Sequence, residues 1–189
     1  MVVTLLLFVS ALAQRPHVVL NDSKVVITEV EVTPGKPYTL ATGRNGDVWV
    51  ALNPVEIVTG MDRRQNRRKL QAGDAEFSDS TENLQFRVSE GSHAAVLVVR
   101  LKAPLAQKLT IEQISPSFED ASDRNQTLLV AITDCHFRDT RNIGDESEWI
   151  PSKPNVVMMR AGEVKWIRPG IHHFENLGGS AARLVSIEW

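Results

Sequence analysis

The sequence predicts an all-β protein built from two similar barrel halves, and three observations carry that prediction. Apolar residues come in short runs, many β-branched or aromatic, separated by Gly and Pro turns. No long stretch shows the 3.6-residue period of an amphipathic helix. Three blocks also recur in the same order. Arg44-Asn45-Gly46-Asp47-Val48-Trp49-Val50-Ala51-Leu52 matches Arg124 to Ile132, offset by 80 residues. Ala72-Gly73 to Phe77 matches Ala161-Gly162 to Trp166, offset by 89, and Gly91-Ser92-His93-Ala94 matches Gly179 to Ala182, offset by 88. Short apolar strands resemble one another anyway, but three blocks in one order with similar gaps indicate an internal repeat. Many short strands with such turns suggest a sandwich or jelly-roll barrel.

The elements follow in chain order. Val25 to Val32 alternates partly with period two and ends at the turn Thr33-Pro34-Gly35. Asp47 to Leu52 is a short apolar strand broken by Asn53-Pro54, and Val55 to Val58 follows. Met61 to Lys69 reads as a polar, basic hairpin tip. A solvated turn is preferred there over an anion or nucleic-acid patch, because the run is brief and no aromatic residue is interleaved. Phe86–Val88 and Ala94–Leu101 complete the first half. Strands near Leu109–Ile114, Leu128–Ile132, His136–Arg138, Val156–Met159, Val164–Ile167 and Arg183–Ile187 build the second.

The chain of 189 residues is long enough for one well-cored domain or two small ones. Its net charge of −2 gives no bulk attraction to nucleic acid or anionic lipid. Its single cysteine, Cys135, excludes an internal disulfide and any paired-Cys zinc signature. Met1 to Ala13 is an apolar run ending in Ala11-Leu12-Ala13, a small-residue cleavage pattern, although no Lys or Arg precedes Arg15. The run is short for a bilayer span and no Cys follows it, so a stable membrane anchor is not expected. The expected organisation is a signal peptide over 1–13, a first barrel over 14–102 and a second over 103–189, with export to the periplasm or beyond. A buried N-terminal strand or helix is the competing reading of the leader.

One motif carries a family resemblance. Gly162-Glu163-Val164-Lys165-Trp166-Ile167-Arg168-Pro169-Gly170-Ile171-His172-His173-Phe174-Glu175-Asn176 resembles the second conserved motif of cupins, a glycine turn and a strand followed by His-x-x-x-Asn. Val18 to Gly35 and Leu129 to Asp134 look like strands of the same superfamily, so the resemblance spans nearly the whole chain after the leader. It implies two jelly-roll β-barrels (double-stranded β-helices) arranged as a bicupin. In cupins the histidine of this motif is usually one of four metal ligands, the others being two histidines on one strand and a later carboxylate. Those places fall here on Ala41, Gly43 and Asp47 in the first repeat and on Ala121, Asp123 and Thr127 in the second. The later histidine place of the first repeat falls on Asn83. The metal-binding motifs are thus degenerate, and neither a metal ligand set, nor a cofactor, nor a catalytic residue is expected.

The candidate ligand-binding residues are His172, Trp166 and His136. His172 is expected to point into the second barrel; a hydrogen-bonding role on the barrel wall is preferred there to a role in a ligand pocket, and a relic metal ligand is the remaining reading. His173, its strand neighbour, points the other way, so the two do not chelate. His136 is expected to be the nearest imidazole to His172. Cys135 and His136 diverge on a strand and form no nucleophile–base dyad. Trp166 fills a core or lines a ligand pocket, and Asn176 ties a turn through its side chain. The leading functional expectation is an exported, non-catalytic protein that binds a small molecule or acts as an interaction module. The alternative is a cupin enzyme with an atypical site around His172, His136 and Trp166. Trp189 closes its own barrel or packs across a homodimer seam; both readings stay open.

Overall fold

The computed structural model describes residues 16–59, 65–79, 84–90, 92–105, 109–115, 122–124, 126–144 and 148–189. The leader expected over 1–13 lies outside them, as do Ala121, Asn83, Gly91 and residues 61–64. Every regular element among the described residues is a strand. The first half holds β1 (His17–Asn21), β2 (Val25–Val32), β3 (Tyr38–Leu40), β4 (Asp47–Ala51), β5 (Val55–Thr59), β6 (Asn66–Leu70), β7 (Ala75–Ser78), β8 (Leu84–Arg87) and β9 (Ala94–Leu101). The second holds β10 (Thr110–Ile114), β11 (Ser122–Arg124), β12 (Thr127–Ala131), β13 (Cys135–Arg141), β14 (Asn155–Met159), β15 (Val164–Ile167), β16 (Gly170–Asn176) and β17 (Leu184–Glu188).

Each half is a pair of antiparallel sheets with jelly-roll connections. The larger sheets run β1-β2-β9-β4-β7 and β10-β17-β12-β15; the smaller ones run β3-β8-β5-β6 and β11-β16-β13-β14. Removing β1 makes the two strand orders identical, strand for strand. The repeat holds at the level of single hydrogen bonds. The N–H of Ala51 bonds Asp74 O and that of Ala131 bonds Glu163 O, both at 2.9 Å. Gly73 N–H bonds Ala51 O and Gly162 N–H bonds Ala131 O, both at 2.8 Å. Both glycines have positive φ, 91° and 86°, a conformation that a side chain disfavours. Val50-Ala51 and Val130-Ala131, and Gly73 and Gly162, therefore hold matching places in the two strand plans.

Alternation along the strands divides the apolar residues among three cores. Trp49 and Ala51 of β4 point into the first barrel, with Val30, Val96, Ile57 and Phe86. Leu129 and Ala131 of β12 point into the second, with Cys135, Phe137, Phe174 and Leu184. The remaining positions, Val48 and Val50 in one half and Leu128 and Val130 in the other, share a single core with Ile27, Leu97, Val99, Val185 and Ile187. The larger sheets are thus buried on both faces. This is why β4 and β12 read as continuous apolar runs rather than as alternating strands.

The basic stretch ending at Lys69 is not wholly a hairpin tip: Asn66 to Leu70 is strand β6, paired with β5. As an edge strand with four of its five residues exposed, it carries no apolar pattern, and charged residues suit such an edge. The short strand β3 also carries too little apolar alternation to show in the sequence, whereas β1 showed only through the family resemblance.

Candidate functional site

His172 lies on β16 and faces the interior of the second barrel, only 2% exposed and stacked on Phe174 at 5.9 Å. Its Nδ1 lies 2.7 Å from Asp139 Oδ1, and its Nε2 lies 2.7 Å from the carbonyl oxygen of Arg168. A carbonyl only accepts, so Nε2–H donates to it, and the proton between Nδ1 and Asp139 belongs to that pair. Both ring nitrogens are therefore occupied within the barrel. Neither is left to meet a ligand or a metal ion. The His-x-x-x-Asn motif works as a structural tie at its other end as well: Asn176 accepts from Gly178 N–H at 2.9 Å and donates to Ser180 O at 2.9 Å.

His136 is not the imidazole neighbour of His172. On β13, Cys135 and Phe137 face the core, so His136 faces outward. In the β13–β16 ladder the residue opposite His172 is Arg141, five positions along from His136. The group that does reach His172 is Asp139, which has the inward parity of Cys135 and Phe137. The signal that could have found it is this even spacing from an apolar core position.

Trp166 is also elsewhere. It packs against the core shared by the two halves, edge-on to Trp189 at 5.1 Å. Its Nε1–H donates to Asp22 Oδ2 at 2.8 Å, and Lys24 Nζ sits 5.5 Å from its ring centroid. Burial pushes the Asp22 carboxyl up. The backbone N–H groups of Val25 and Lys24, the Trp166 indole and the Lys102 charge outweigh it, so the carboxyl titrates below its ordinary value. Trp166 thus latches the turn between β1 and β2 onto the second half. The three residues singled out from the sequence occupy three separate places. Among the described residues, no group of three or more His, Cys, Asp or Glu side chains is arranged to hold a metal ion.

One open cavity includes a predicted residue. A cleft of about 540 Å³ opens where β13 and β14 meet, lined by Cys135, His136, Met158, Met159, Arg160 and Gly178, together with Asp134, Glu163 and Ser180. Met158 is 73% exposed there. Burial pushes the Cys135 thiol up, and the charges of Asp134 and Glu163 raise it further against a backbone bond from Met159. The thiol is therefore held protonated and weakly nucleophilic.

The first half carries the same cleft in the same place, about 430 Å³, lined by Val55, Glu56, Lys69, Leu70, Gln71 and Arg87, with Pro54, Val88, Ser89 and Ser92. Register makes the correspondence explicit. Val55 pairs with Leu70 and Glu56 with Lys69, as Cys135 pairs with Met159 and His136 with Met158. Glu56 pairs with Arg87 on its other side, and His136 O accepts from Leu177 N–H at 2.8 Å. The outward row is thus Lys69–Glu56–Arg87 in one half and Met158–His136–Leu177 in the other. Sequence reasoning missed both clefts because they are made by pairing across strands, not by a motif.

No protein-family model matches the chain, and no curated protein matches it. Solved structures do. Oxalate decarboxylase from Bacillus subtilis superposes with a TM-score of 0.59 at 9% identity, covering 87% of this chain and 68% of that one. A conserved protein of unknown function from Pseudomonas aeruginosa gives 0.60 at 11% identity, covering 87% and 79%. A cupin 2 conserved barrel domain protein from Leptotrichia buccalis gives 0.52 at 12% identity, covering 94% and 89%. At such identities the likeness speaks for the fold alone. On that ground the chain has the fold of the cupin superfamily, in two jelly-roll halves.

Proposed function

We propose that this chain is a non-catalytic small-molecule-binding protein whose main site is the cleft beside β13 and β14. One observation carries the reading. The cleft opens to solvent, and its lining combines the flexible apolar residues Met158 and Met159 with the polar residues His136 and Arg160. Methionine adapts to irregular apolar shapes, and a few polar groups around an apolar wall are the usual make-up of a small-molecule site. The fitting ligand has an apolar body and a polar tip. Inside the second barrel, by contrast, His172 has both ring nitrogens already bonded.

The enzyme alternative finds no support in the arrangement, since His172, His136 and Trp166 do not converge. Export stays part of the proposal, resting on the leader-like run Met1 to Ala13. Mass spectrometry of protein recovered outside the cytoplasm checks it: Gln14 as the new N-terminus is expected, and a retained Met1 counts against it.

The binding site is tested with the neutral dye Nile red. A saturable rise in its fluorescence is expected with the native chain. Transplanting the residues that the first half carries at the same register, Met158→Lys with His136→Glu, should weaken that binding about tenfold or more. An unchanged titration curve with the folded variant would sink the proposal.

A further inference from the structure

We infer that the matching cleft of the first half is a second site, one that takes a small oxyanion, a carboxylate or a phosphate. This proposal is independent of the apolar site above. It stands first on charge. The outward row that was Met158–His136–Leu177 is here Lys69–Glu56–Arg87, so two cations flank one carboxylate and the wall keeps a net positive charge. Ser89, Ser92 and Gln71 add neutral hydrogen-bonding groups around the same space of about 430 Å³, room for a small organic acid or phosphate.

A second observation concerns Arg87 itself. Its Nη2 donates to Gln85 Oε1 at 2.8 Å, which holds the guanidinium in one orientation. Its Nε–H is buried and meets no acceptor among the described residues. A buried charged donor without an acceptor is costly. An oxyanion drawn between the Lys69 ammonium and the Arg87 guanidinium would pair with the part of the guanidinium that lines the cleft and offset the charge that the protein leaves under-bonded, and such charge-assisted bonds are the strong ones. Recognition is pure binding: no bond forms or breaks, and Glu56 disfavours ligands with more charge than the row can balance.

The second half shows that the framework accommodates the apolar counterparts. Lys69→Met with Arg87→Leu places in the first cleft what the second carries at the same register. The test is titration of the full chain with sodium acetate in one arm and inorganic phosphate in the other. It is followed through the Arg87 Nε–H signal in proton–nitrogen spectra and through the heat of binding. A saturable shift of that signal with either anion is expected. The arm that saturates identifies the source as an organic acid or a phosphate ester. The double variant should lose affinity about tenfold for each contact removed, while its unfolding midpoint and its Nile red binding stay near native. No saturable shift with either anion overturns the inference. So does equal affinity in the folded double variant, which would place the anion elsewhere.

Discussion

The two halves share a backbone plan down to single hydrogen bonds, yet they differ at matched positions facing the same kind of space. In the first, Lys69, Glu56 and Arg87 line the cleft; in the second, Met158 and His136 hold the places of Lys69 and Glu56, and Leu177 ends the row in the place of Arg87. A similar contrast appears one layer deeper. Asp47, fully buried at the start of β4, accepts from Arg100 Nε and Nη2 at 3.0 Å each and from Gly43 N–H at 2.8 Å. The repeat places Thr127 and Glu188 at the corresponding pair of positions. Inward apolar positions are retained because the core admits few alternatives. Outward and terminal positions are free to diverge, and in this chain they carry most of the chemical difference. The lesson is that register conserves architecture, while side-chain parity decides where new chemistry can appear.

The sharpest way to break the comparison is at the buried carboxylate. Arg100→Leu leaves the buried Asp47 carboxyl with only Gly43 N–H of these donors, and should cost about 3–5 kcal/mol in denaturant unfolding. Glu188→Leu, at the matching place, should cost less than about 1 kcal/mol. Equal costs would show that the two halves are stabilised alike and that the ion pair is incidental. The Arg100 guanidinium itself is held above its ordinary value chiefly by its bond to Asp47.

His172→Ala comes next. It opens a space beside Phe174 and strips Asp139 and the Arg168 carbonyl of their partner, so a loss of about 3 kcal/mol is expected. Nile red binding at the cleft should not change while the variant is folded. A dye affinity that falls with stability intact would return His172 to the ligand site.

A smaller effect is expected at the latch between the halves. Trp166→Phe removes the donor to Asp22 Oδ2 and should cost about 1 kcal/mol. The sign with pH follows from the lowered carboxyl. Because the folded value lies below the ordinary 3.8, the stabilisation is fully present above that value. It fades as pH falls through the lower folded value. Native and Trp166→Phe unfolding midpoints should therefore converge in acid, and a constant gap across the range would refute the linkage. The smallest effect is Met158→Lys alone, a solvent-facing change on an edge strand that should move stability by no more than about 0.5 kcal/mol. A large loss would mean that the exposed methionine is packed against something.

Much of the fold could be read directly from the sequence. Val25–Val32, Ala94–Leu101 and Val164–Ile167 appear as strands with the bounds read from apolar runs and turns. The offsets of 80 and 89 residues identified pairs that hold matching places, Ala51 with Ala131 and Gly73 with Gly162. Edge strands were harder. β6 is exposed and basic, so its pairing partner, not its composition, makes it a strand. The site was less legible for a related reason. His136 looked like a partner for His172 because both are imidazoles, but parity on β13 turns His136 outward and Asp139 inward. Trp166 differs from His172 by an even number of residues, yet the Pro169-Gly170 turn separates their strands, and each faces a different core.

The core shared by the larger sheets has a consequence for how this chain can be divided. Val48, Val50, Leu97 and Val99 of one half and Leu128, Val130, Val185 and Ile187 of the other are each almost wholly buried, and they cover one another. Polar ties run along the same seam, where Arg183 Nη2 donates to Ala72 O at 2.6 Å and Gln113 Nε2 to Gly73 O at 3.1 Å. A fragment cut between β9 and β10 would expose an entire apolar sheet face, with each buried Val, Leu or Ile forfeiting about 1.5–3 kcal/mol. Such a fragment has two outlets: precipitation, or self-association that rebuilds the missing face with a second copy of itself. The intact chain, on this view, behaves as an internally tethered dimer. Its halves should melt together, and its tether supplies a local concentration that free fragments would have to reach by mass action.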